Sequence, residues 1–304
     1  MLKTKLSKYY SSLNSFVLSE SLKERLEKII VIVAIVSFVV HLGIIGLIDF
    51  GWLDIGAYDG NLIISPISAI YTPFSIILVY EVYLLVFYLP KSITIYIGKQ
   101  YEIITLILIR KIFYDLSNLE FSSSWFSIES DIQFTLDLAA TLALFFLIFI
   151  FYKLNSKNRI EKEKITSKIK SHIKVKNVFA TLLVPTIALL VVFSFFDWFY
   201  ETLLFTSDYS STSIKTVNTV FFDDFFTVLI LIDVLLLLFS FLQTEEFSRV
   251  IRNSGFVIST ILIKLSFSAD NIINTILIVV AVGFGVLILY IYNQYFKLNQ
   301  TLNT

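Results

Sequence analysis

Glu81, Glu102 and Asp233 are carboxylates set inside long apolar runs, and carboxylates placed there can load and release protons or neutralise a passing cation. Counting from the nearer end of each run at about 1.5 Å per residue puts Glu81 and Glu102 at one level, roughly 12 Å deep. Two carboxylates at one depth repel each other, and sharing a proton relieves the repulsion. His41, near the middle of the first run, is a third group able to relay a proton, or equally a neutral imidazole bonded to a carbonyl. A second set lies near the opposite end of the runs: Arg110 falls at the level of Asp49 and Asp137, which predicts a charge cluster. Lys264 and Asp197 hold the matching places later in the chain. That set reads either as part of an ion path or as a structural tie between helices.

The elements that must position these residues follow from composition. Of the 304 residues 57% are hydrophobic and only 16% charged, and mean hydropathy is strongly positive, which places the chain outside soluble domains. This reads as an all-α integral membrane protein. No cysteine is present, so disulfides and thiolate metal sites are excluded. His41 and His172 lie too far apart to offer metal-ligand spacing, and no Gly-rich phosphate loop, nucleophile elbow or nucleotide fingerprint occurs. The expectation is therefore a protein that is not an enzyme and carries no cofactor or metal.

Apolar runs long enough to span about 30 Å of hydrocarbon recur eight times: from Ile29 to Phe50, Leu62 to Leu89, Ile93 to Tyr114, Ile132 to Tyr152, Val178 to Phe199, Phe221 to Leu242, Val250 to Phe267 and Ile272 to Tyr295. The third and seventh resemble each other. YEIITLILIRKIF (101–113) and GFVISTILIKLSF (255–267) share isoleucine placement, align Thr105 with Ser259, and end on Arg110 and Lys264. In the preceding runs, VYEVYLL sets Glu81 where LIDVLLL sets Asp233. The chain thus reads as two tandem four-helix repeats. Residues 1–28 form a cytoplasmic amphipathic segment with Ser19 or Ser21 as N-cap, 29–152 the first repeat, 153–177 a basic linker, 178–296 the second repeat and 297–304 a tail.

Net charge is zero, but its distribution is lopsided. The basic segments (the N-terminus, Lys91 to Lys99, the linker, Arg249 to Arg252, and Lys297) all fall on one side of an eight-span arrangement, and the acidic loops on the other. The positive-inside rule then puts both termini in the cytoplasm. An even number of spans per repeat makes the two repeats parallel, related by a twofold along the membrane normal. Lys162, Lys164, Lys168 and Lys170 of the linker are candidates for anionic lipid headgroups, although topology alone also accounts for them. Arg249, Arg252 and Lys264 fall in steps of three, but apolar residues at the intervening places argue against a voltage sensor.

The four-helix unit resembles the phosphate-starvation-inducible PsiE family of small bacterial inner-membrane proteins. The resemblance rests on Tyr80 and Glu81 in the second helix, Arg110 late in a Tyr/Ile-rich third, and Asp137 with Ala139 and Ala140 opening the fourth. It covers about Ile77 to Tyr152 and Leu229 to Tyr295. It implies the cytoplasmic membrane of a bacterium, which the Ile/Lys/Asn-rich composition also fits. The chain departs from the family in its duplication and in the absence of the Arg and Asp from its second copy. Two functions fit the sequence: conduction of a small ion or protons through an acid-lined site, or a non-transporting membrane anchor or regulatory subunit. The partners it points to are membrane lipids and either copies of itself or subunits of a membrane complex, and not nucleic acid.

Overall fold

The computed structural model describes residues 16–52, 68–117, 129–156, 176–186, 189, 217–241 and 247–302, and among these every regular element is helical. In chain order they are α1 (Glu20–Asp49), a 3₁₀ turn (Ser68–Ile70) running into α2 (Tyr71–Tyr88), α3 (Ile93–Ser117), α4 (Glu129–Ser156), α5 (176–186), α6 (Val217–Phe241), α7 (Phe247–Phe267) and α8 (Asn271–Leu302). Four of them hold stretches long and apolar enough to cross a membrane: Glu20–Asp49, Asp131–Ser156, Phe247–Phe267 and Ile272–Leu298. Among the described residues the protein is accordingly all-helical, with four helices whose length and composition suit a membrane.

Local chemistry explains the ends of α1. The Ser19 hydroxyl accepts the Leu22 amide at 3.1 Å, satisfying one of the donors left over at a helix start. At the other end Gly51 takes a φ of 70°, and the amides of Gly51 and Trp52 reach back to the carbonyls of Ile48 and Leu47. That reversed pair of bonds needs a left-handed residue, which glycine supplies without strain. The helix runs unbroken through residue 28, so the charged turns 20–28 are the first turns of the apolar helix itself. Only 11% of its most apolar window is covered by protein, and Ile32, Ile35 and Val39 stand open. In a membrane that surface faces lipid tails, at no cost in exposed apolar area.

α3 is the opposite case. It carries Lys99, Gln100, Glu102, Arg110 and Lys111, and it sits inside the bundle with Tyr101, Ile103 and Ile104 sealed from solvent. It packs on α2 and α4, and also touches α7 and α8. The remaining main contacts are α1 with α2, α4 with α8, α8 with α7, and α7 with α6. Gly285 of α8 makes one of these contacts possible, because a Cβ there would stand 1.7 Å from the Tyr101 hydroxyl. Gly43, by contrast, has no neighbour within 4 Å of where its Cβ would be and serves no close helix contact.

Candidate functional site

Lys99 and Glu102 lie one turn apart on α3, so a helix puts both on the same face. Their ion pair is short, with Lys99 Nζ 2.5 Å from Glu102 Oε2. The other carboxylate oxygen, Oε1, accepts the Tyr152 hydroxyl of α4, also at 2.5 Å. Tyr152 reaches it by lying across Gly98, where a Cβ would meet the phenol oxygen at 2.9 Å. Glu81 of α2 is half-buried beside them and feels the charges of both Lys99 and Glu102. The two carboxylates that the depth count puts at one level are thus electrostatic neighbours, with an ammonium among them.

This group opens to the outside. A cavity of about 550 Å³ is lined by Tyr88, Lys91, Lys99, Glu102, Tyr152 and Ser156, among others. Lys91 and Lys99 both stand over the Tyr88 ring, 4.8 and 5.5 Å from its centroid, which favours a cation electrostatically. Lys91 is tied in turn to Glu20 of α1 at 3.1 Å, and the Tyr80 hydroxyl donates to Glu27 at 3.3 Å. The start of α1 therefore braces the same end of α2 and α3.

Asp233 of α6 occupies a separate, buried site. The Gln100 amide of α3 donates to its Oδ2 at 3.3 Å, and the Gln100 carbonyl accepts the Thr260 hydroxyl of α7 at 2.8 Å. Three helices from distant parts of the chain share this one amide. Tyr96 and Lys176 are close enough to act on Asp233 electrostatically, although the Tyr96 hydroxyl lies outside hydrogen-bond geometry. Lys176, at the end of the linker and ahead of the fifth apolar run, donates to the Lys91 carbonyl at 3.2 Å. Burial pushes its amine down to about 8, with Arg252 adding to the effect and Asp233 opposing it. Gln100 is absent from the set of residues the sequence singles out. Its one readable signal is an amide beside the cation and carboxylate of the most polar apolar run.

The second cluster lies toward the other end of α3, where the cation the structure pairs with Asp137 is Lys111, not the adjacent Arg110. Lys111 Nζ stands 3.0 Å from Asp137 Oδ2, an ion pair by distance though not by hydrogen-bond angle. Asp137 Oδ1 accepts from Thr275 of α8 at 2.5 Å and from Gln133 at 2.8 Å. Arg110 is itself buried, 6% exposed, while Asp49 is exposed at the end of α1 and Lys264 is half-buried in α7. A single-residue shift on a helix turns a side chain by about 100°, beyond what a depth count resolves. The His41 Nδ1 atom stands 2.6 Å from the Thr72 hydroxyl, so the imidazole bonds to a side chain on α2. Asp197 and the linker residues Lys162, Lys164, Lys168 and Lys170 lie outside the described residues.

Searches with the chain match no protein-family model, no curated protein and no solved structure.

Proposed function

We propose that the protein moves protons, or another small ion, across a bacterial cytoplasmic membrane through the acid-lined end of α2, α3 and α4. The observation that carries this reading is the half-buried Glu102 carboxylate, which lines a cavity, pairs with Lys99 and acts electrostatically on Glu81. A carboxylate placed between an opening and a second carboxylate can take a proton from water and pass the charge change inward. Asp233 is the corresponding acid of the second half, held by Gln100 in a drier setting.

The architecture that goes with this function is eight spans in two parallel four-helix repeats, with both termini cytoplasmic. The helix contacts support it. Read outward from the α4–α8 contact, the first half runs α4, α3, α2, α1 and the second runs α8, α7, α6, the order a twofold between tandem copies requires. The likeness to the PsiE family agrees with a four-helix unit of this kind.

The non-transporting anchor has one observation in its favour: both oxygens of Glu102 are already occupied, as they are in a purely structural tie. Flux through purified protein in vesicles, followed with an internal pH dye under an imposed gradient, separates the two. Transport predicts that Glu81→Gln and Glu102→Gln abolish flux while the variants still fold. No flux from the wild-type protein, with other proteins co-purifying, favours the anchor.

A further inference from the structure

We infer that Lys99 is a tethered cation that restricts the Glu81–Glu102 pair to protons, because its ammonium stands where an alkali-metal ion would otherwise bind. This rests on the proposed transport reading and adds the selectivity of that same site. An ammonium head is about the size of a potassium ion, and this one is seated 2.5 Å from Glu102 Oε2. The second oxygen of Glu102 is capped by Tyr152. A hard metal ion needs several oxygen ligands at once to replace its water. A proton needs a single lone pair, and a carboxylate oxygen that accepts one hydrogen bond still has another to offer.

Charge balance points the same way. Two carboxylates and one ammonium leave the group with one net negative charge, so one proton neutralises it. With that proton on the pair, the ammonium balances the carboxylate that stays charged. The charged and titratable groups facing the site leave this balance in place. Glu27 of α1 is exposed and accepts from Tyr80. Lys91 at the mouth and Lys23 both pair with Glu20, and the second of these positive charges offsets Glu27, whose charge also reaches Glu81. Tyr88 and Tyr152 are phenols, the first beneath the two lysines and the second bonded to Glu102.

The test compares melting temperatures of detergent-purified protein in choline, sodium and potassium chloride at equal ionic strength. The wild-type protein is expected to melt at one temperature in all three. Lys99→Met vacates the seat, and its melting temperature is expected to rise by a few degrees in sodium or potassium over choline, by preferential binding to the folded form. Adding Glu102→Gln to it should abolish the rise. Lys99→Gln, which keeps a polar side chain of similar reach, provides the same comparison where Lys99→Met does not fold. Cation stabilisation of the wild-type protein, or no cation response from either Lys99 variant, overturns the inference. Proton flux in vesicles reads the parent proposal separately: loss of wild-type flux with the Lys99 response intact removes transport and keeps the exclusion of metal ions. Normal flux without that response does the reverse.

Discussion

Asp137→Ala removes the group that holds α4 to α8, and its cost can be worked from the contacts. Asp137 is 0% exposed and accepts two hydrogen bonds, from Thr275 and Gln133, besides its ion pair with Lys111. Bonds to a charged acceptor contribute about 1.5–3 kcal/mol each in soluble proteins. Inside membranes measured side-chain bonds average about 0.6 kcal/mol, because the unfolded chain also finds partners there. The Lys111 side chain is 28% exposed, so its pairing adds roughly 1 kcal/mol and not the several of a sealed pair. With the membrane figure for the two bonds, these give a loss of about 2 kcal/mol. Reversible unfolding in mixed micelles measures it, and Asp137→Asn, which still accepts from Thr275, should lose less than half as much. Lys111→Met in the Asp137→Ala background should cost little more, since its partner has gone. A loss below about 0.5 kcal/mol for Asp137→Ala would refute the claim that this cluster joins α4 to α8.

Gly285→Val is expected to destabilise the protein by about 1–3 kcal/mol through overpacking against Tyr101, whereas Gly283→Ala, with its nearest contact at 3.9 Å, should melt like wild type. Thermal melts of the two variants side by side check this. Lys176 predicts a pH dependence. Below about pH 8 both folded and unfolded chains hold its proton; between there and the unfolded value near 10.5 only the unfolded chain does, so stability rises with pH across that window. Melts from pH 7.5 to 10.5 should show a slope that is reduced in Lys176→Met.

Much of this arrangement was open to a reader of the sequence because helical geometry turns spacing into position. The level shared by Glu81 and Glu102 follows from counting residues, and the charge of Glu102 acts on Glu81 in the structure. An N-cap at Ser19 or Ser21 follows from the hydroxyls ahead of a helical run, and of the two the Leu22 amide bonds to Ser19. Counting resolves depth and not direction around the helix, which is why Lys111 and not its neighbour Arg110 carries the ion pair with Asp137. The Gln100 link escaped because uncharged amides stand out little among apolar residues, and its partners Asp233 and Thr260 lie more than 130 residues away. Lys99 was in plain view as the residue one turn before Glu102, but its influence on Glu81 depends on the contact of α2 with α3. Gly98 and Gly285 acquire a role only once Tyr152 and Tyr101 are seen to cross them.

The central claim is that the Glu81–Glu102 group loads and releases one proton. Infrared difference spectra of the reconstituted protein, recorded as the bathing pH is stepped down from neutral, read protonated carboxyl directly. The account predicts one carboxyl C=O band that grows with acid, shifts with heavy water and disappears in Glu102→Gln. A spectrum with no such band, or a band untouched by both Glu81→Gln and Glu102→Gln, would contradict it.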